Sequence, residues 1–362
     1  MNARLLCIAI LISMLAGVDR AMAQAQAAAP ATPPATNPAA AGARGARGAR
    51  GPIGPPATPE DLAEIAKNMD LPTYGPNMAD GDYSTGPNYT PAVEETARPG
   101  VPQGKIINFV MNSADSKFYP GTPPFQRKVA VYVPAQYVAG TPSPVIVSCD
   151  QYGLNYHLST ILDNMIADHR LPSMCAVMIA NGGSERSVEY DTVSPKYTEF
   201  VEAEVLPRAE KEAGIVITKD PKARMTFGGS SGGIAAFTMA WFHPELYGRV
   251  LSYSGTFVNL QHSDEVPHGG WEYLEHLIPN NPAKPIRVWI EAAQNDNGGT
   301  TGSAGFHNWI LANDRMAKTM KEKGYHYQFV FAKGAGHTDS KAINQTLPDA
   351  LEFVWKDYQP AK

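Results

Sequence analysis

The sequence predicts an α/β protein: a mostly parallel sheet of eight strands with helices on both of its faces. Three observations carry this expectation. Short apolar runs rich in Val, Ile and aromatic residues recur from about Lys105 onward. Amphipathic stretches with helical spacing separate the later runs, and 43% hydrophobic residues in a chain of 362 can fill a large core. Strands that alternate with helices become parallel neighbours, because each helical crossover carries the chain back to the same end of the sheet.

The predicted strands are 106–111, 127–133, 145–149, 175–180, 224–228, 249–253, 286–291 and 326–331. Helices are expected at 157–168, from Tyr197 through Val205, and at 232–242, 306–323 and 348–358. Two closely joined strands followed by six with helical crossovers form the strand inventory of the α/β-hydrolase fold.

Four segments are expected along the chain. Residues 1–23 read as a signal peptide: Arg4 supplies the positive start, Leu5 to Val18 the apolar stretch and Ala21-Met22-Ala23 the cleavage site. Residues 24–59 are almost entirely Ala, Pro, Gly, Thr and Gln with three Arg, a composition expected to form a disordered tether. Glycine recurs there at Gly42, Gly45, Gly48, Gly51 and Gly54, too few triplets for a collagen helix. Residues 60–104 are expected to be an extended lead-in after a short helix near Glu60, and 105–362 the catalytic domain. The leader implies a periplasmic or secreted protein with no integral membrane segment once it is cleaved. A net charge of −5 gives no reason to expect nucleic acid as a partner. Beyond the leader only Cys149 and Cys175 remain. They belong to opposite ends of adjacent predicted strands, too far apart for a disulfide, so two free thiols are expected.

The run Phe227-Gly-Gly-Ser-Ser-Gly-Gly233 lies between a predicted strand and a predicted helix, the context that makes G-x-S-x-G a nucleophile elbow. Two registers fit, because Ser230 has Gly228 and Gly232 at the required positions and Ser231 has Gly229 and Gly233. A serine hydroxyl needs a base, and the base needs an orienting carboxylate, in the chain order Ser, acid, His. His337, in Gly334-Ala-Gly-His337 just past the last strand, is the candidate base; His326 falls inside that strand. Asp296 is the candidate acid because it sits on a loop beyond the strand 286–291. Glu291 at the strand's end is second, and Asp314 reads as a solvated helix face. The backbone N–H of Ser231 and of Gln151, on the loop after 145–149, are the candidate oxyanion donors. No H-E-x-x-H, C-x-x-C, phosphate loop or dinucleotide fingerprint occurs, so no metal and no cofactor are expected.

From about Gly81 to Tyr358 the chain resembles the enterochelin-esterase-like and feruloyl-esterase-like branch of the α/β-hydrolases. The resemblance is carried by Arg127-Lys-Val-Ala-Val-Tyr-Val-Pro134, Val188-Glu-Tyr-Asp191, the elbow with Ala235-Ala-Phe, Val250-Leu-Ser-Tyr-Ser254, Asn308-Trp309 and Gly334-Ala-Gly-His337. It implies a serine carboxylic-ester hydrolase acting on a phenolic, acetylated-sugar or siderophore ester, small or polysaccharide-linked, and it favours Ser230 through the fuller string G-x-S-x-G-G. The chain departs from such relatives at Asp150-Gln151, where they often carry Asp-Gly. Acyl transfer on the same fold, or a non-catalytic binding protein on a hydrolase scaffold, are the alternatives. In the insertion Gln261–Asn281, Trp271 and Tyr273 either contact substrate or pack the insertion onto the body.

Overall fold

The computed structural model describes residues 54–299 and 304–358. The expected signal peptide and nearly all of the expected tether lie outside them. The main sheet has nine strands: β1 (Gly81–Thr85), β2 (Lys105–Asn112), β3 (Gln126–Val133), β4 (Val145–Cys149), β5 (Cys175–Ile179), β6 (Arg224–Gly229), β7 (Arg249–Tyr253), β8 (Arg287–Asn295) and β9 (His326–Gly336). Their order is β1-β9-β8-β7-β6-β4-β5-β3-β2. The ladders are parallel from β1 through β5, and only β3 runs against the others, pairing antiparallel with both β5 and β2. The central strands β4 to β7 are buried at every residue, as a parallel sheet covered on both faces requires.

One strand more is present than the eight predicted. It is β1, hidden in a Pro- and Gly-rich stretch because an edge strand needs only one partner and one covered face. Within the sheet it pairs with β9, from Gly81 beside Gln328 to Thr85 beside Ala332, and on its outer side Ser84 makes a single parallel bridge to Thr73. Behind it, the Trp289 indole N–H donates to the Tyr74 hydroxyl at 3.1 Å and ties the preceding segment to the sheet.

The last two strands also run further than predicted. Ala292-Ala293-Gln294-Asn295 and Ala332-Lys333-Gly334-Ala335-Gly336 are poor strand formers, yet β8 and β9 pair through them, with an irregularity between Ala293 and Asn295. The extension carries both strands out to the residues that immediately precede Asp296 and His337.

Among the helices, α1 (Pro59–Lys67) opens with a capping box between Thr58 and Asp61. Helix α2 (Tyr152–Asn155) is a single turn after β4, and α3 (Ser231–Phe242) follows the elbow. Helix α4 (Trp309–Glu322) is capped by Asn308, and α5 (Ser340–Trp355) by Asp339. The last begins eight residues before the expected 348, so Pro348 falls inside it. Asp314, expected on a solvated face, is instead buried. It accepts from Asn68 Nδ2 at 2.8 Å and pairs with Lys318 at 2.7 Å, because α1 and the turn after it cover that side of α4. Cys149 and Cys175 are free and buried, at opposite ends of β4 and β5. Among the described residues no helix is long and apolar enough to cross a membrane.

Candidate active site

The elbow is built by close approach. A Cβ on Gly228 would collide with the Gly232 carbonyl, and one on Gly229 would collide with the Tyr152 ring. The pairs that made both serine registers sterically acceptable therefore exist for different reasons. Gly228 lets β6 fold back onto α3, whereas Gly229 admits a tyrosine from the neighbouring turn and Gly233 faces Ser252 at the end of β7. Ser230 stands between strand and helix at φ 57° and ψ −129°, a conformation L-residues rarely adopt. Its N–H donates to Tyr253 O at 2.9 Å and its carbonyl accepts from Thr256 N at 3.1 Å, which pins the strained residue to the end of β7.

The two serines point to different groups. Ser230 Oγ lies 2.8 Å from His337 Nε2, and His337 Nδ1 lies 2.5 Å from Asp296 Oδ1. With the carboxylate at Nδ1, that nitrogen carries the proton, which leaves Nε2 free to accept from the serine hydroxyl. Asp296 has a fully buried side chain, and its Oδ1 also accepts from Asn297 N at 2.7 Å. The Trp309 ring meets the His337 ring edge-on, with centroids 5.9 Å apart. Ser231 Oγ instead accepts from Arg186 at 2.9 Å and donates to Asp191 Oδ2 at 3.1 Å. Arg186 is in turn gripped by Asp150 at 2.5 Å. Burial pushes the Asp191 carboxyl up to about 6, with its hydrogen bond from Ser187 and the Arg186 charge opposing.

The backbone around Ser230 is partly as expected. The Ser231 N–H has no acceptor among the described residues and begins α3. The Gln151 N–H does not match its expected role as a donor to the site. It donates to Ile179 O at 2.9 Å, because Gln151 turns left-handed (φ 51°) and closes the end of β5. The N–H on this turn without a described acceptor belongs to the next residue, Tyr152.

Nearby, Glu189 pairs with Arg127 rather than with Arg186. The Asp150–Arg186–Asp191 cluster joins the turn after β4 to the helical turn 186–191, and with Ser231 it draws on a third segment, so no local spacing announces it. Trp271 and Tyr273 pack the insertion onto the body: both are buried, and Tyr273 OH donates to Thr238 Oγ1 at 2.9 Å beside Phe237. Among the described residues no group of three or more His, Cys, Asp or Glu is placed to hold a metal ion.

The sheet order, the helical crossovers and the strand-elbow-helix unit define the class: an α/β-hydrolase fold. Residues 122–354 match the model of the Esterase family, more than half of the chain, and the protein belongs to that family of ester hydrolases. Solved structures agree on the fold. A ferulic acid esterase is 18% identical, with a TM-score of 0.53 over 71% of this chain and 100% of that one. The ferulic acid esterase of the anaerobic fungus Anaeromyces mucronatus is 16% identical, with a TM-score of 0.52 over 74% of this chain and 96% of that one. The enterobactin esterase of Shigella flexneri, solved with 2,3-dihydroxy-N-benzoyl-serine, is 19% identical with a TM-score of 0.51. It is matched over 72% of this chain and only 61% of its own. No curated protein matches the chain by sequence.

Proposed function

We propose that the protein is an exported serine carboxylic-ester hydrolase that works through an acyl-enzyme, with Ser230, His337 and Asp296 as its triad. The single observation behind this reading is the His337 ring standing between Ser230 Oγ at 2.8 Å and Asp296 Oδ1 at 2.5 Å. Ser230 attacks the ester carbonyl while His337 Nε2 takes its proton; the imidazolium then returns that proton to the departing alkoxide. Asp296 holds the ring in the tautomer that leaves Nε2 basic and stabilises the positive charge as it forms. The N–H groups of Ser231 and Tyr152, open on the adjoining turns, stabilise the oxyanion. Water then attacks the acyl-enzyme, with His337 again as base.

The acyl group is drawn from phenolic, acetylated-sugar or siderophore esters. Ferulic acid and enterobactin esterases, the fold's solved relatives, motivate the phenolic end of that range. A serine-reactive phosphonate tests the assignment. Labelling is expected at Ser230, lost in Ser230→Ala and retained in Ser231→Ala, with hydrolysis of p-nitrophenyl esters following the same pattern. Label surviving in Ser230→Ala overturns it. Product analysis with and without sugar acceptors separates hydrolysis from acyl transfer.

A further inference from the structure

We propose that Glu291 is a positioning residue of this site, steadying Asp296 and the turn that carries His337 from the buried side of the sheet. The inference rests on the triad reading above. Glu291 is only 1% exposed, on the stretch of β8 that leads to Asp296. Two oxygens of neighbouring carboxyls are left open: Glu291 Oε1 and Asp296 Oδ2 are both buried, neither has a partner among the described residues, and the Asp296 charge is felt at Glu291. Asp296 Oδ1 is fully engaged by His337 and Asn297, so a donor reaching Oδ2 would complete the carboxylate.

The surroundings decide which form Glu291 takes. The charged groups that bear on it are Asp296 and Asp339, and the tyrosines that feel its charge are Tyr89, Tyr152, Tyr156 and Tyr253. No cation belongs to this set. Burial first, and then the Asp296 charge, hold the Glu291 carboxyl far above the usual carboxylate range. It is therefore a neutral acid with an O–H to donate. Through one bridging water, that O–H meets the open side of Asp296.

A second connection reaches the base. The Ser254 N–H donates to the Glu291 carbonyl at 3.0 Å, and Ser254 Oγ donates to Glu291 Oε2 at 3.4 Å. The same Oγ accepts from the N–H of Thr338, the residue after His337, at 3.2 Å. Ser254 and Thr338 both hold left-handed backbone, φ 46° and 48°, a conformation that surrounding bonds must maintain in non-glycine residues. One carboxyl thus reaches the acid by its free oxygen and the base's turn by the other. An ionised Glu291 would do neither well: it would repel Asp296 and hold His337 as imidazolium, which cannot act as a base.

The test uses the full chain with Glu291→Gln and Glu291→Leu beside the wild type. Infrared difference spectra at neutral pH are expected to show a deuterium-sensitive protonated-carboxyl stretch that Glu291→Gln removes. The amide can donate where the acid did, so Glu291→Gln should keep kcat within about threefold. Glu291→Leu should leave KM unchanged and lower kcat by about 10–100-fold, the effect of removing a buried hydrogen bond to a charged group. Its acid limb should move to higher pH, because Asp296 without a donor holds the imidazolium proton more tightly. A wild type without the protonated-carboxyl band overturns the proposal, as does a Leu variant with unchanged kcat and pH profile. If Glu291→Leu does not fold, the spectrum and the near-native kcat of Glu291→Gln still decide it. Activity surviving in Ser230→Ala would instead sink the triad reading, independently of Glu291.

Discussion

On one flank of the elbow Ser231 faces Arg186, Asp150 and Asp191; on the other Ser230 faces His337 and Asp296, with Glu291 behind them. Both flanks gather buried carboxyls, but only the first contains a permanent cation. There the guanidinium balances Asp150 at 2.5 Å and draws on Asp191, so the charges exist before any substrate arrives. In the proposed mechanism the imidazole of the second flank becomes a cation as it takes the serine proton. Carboxyls around a permanent charge build structure, whereas carboxyls around a charge yet to form can lower a barrier. The comparison separates two adjacent serines that sterics leave equivalent.

The largest test of that contrast is Asp296→Asn. It should preserve the fold and lower kcat by about 10⁴-fold, because an amide at Nδ1 favours the wrong tautomer; ester hydrolysis measures it. Arg186→Met on the other flank should instead act on stability. It leaves Asp150 and Asp191 without their cation and should cost about 1–3 kcal/mol in urea melts, less than for a fully buried pair since Arg186 is 28% exposed.

Asp191→Asn reports the charge balance from the other side. The folded carboxyl titrates at about 6, above its ordinary 3.8. Its contribution is therefore fully present below pH ~4 and lost as pH rises through ~6. The variant should then be more stable than wild type at pH 8, by about 1–2 kcal/mol, with the gain shrinking toward pH 4. Thermal melts across that range measure it, and a gain that grows toward low pH would refute the assignment. The smallest effect is expected for Ser231→Ala, which removes two side-chain hydrogen bonds but keeps the backbone N–H. Stability should change by about 1 kcal/mol and kcat by only a few-fold.

Much of this site was legible in the chain. The strand before Ser230, the helix after it and the order Ser, Asp, His are local or ordinal features, and they suffice to nominate Ser230, Asp296 and His337. The Gln151 N–H is not free on this turn, because a left-handed backbone commits it to Ile179 O on β5 and leaves the open N–H at Tyr152. Strand β1 escaped because its Gly-Asp-Tyr-Ser-Thr has little pattern of its own and becomes a strand by pairing with β9. Arg186 and Glu291 were visible as residues, but Asp150, Ser231 and Ser254, which they meet, come from other segments of the chain.

The sequence by itself determined the alternation of elements, the elbow and the set of groups able to act, because periodicity and steric need are written within short windows. Only the tertiary structure decided which of the two serines meets the histidine, how far β8 and β9 extend, and which carboxyls lie beside a cation. Those outcomes depend on contacts between residues up to 107 positions apart, as for Ser230 and His337, and no local pattern records them.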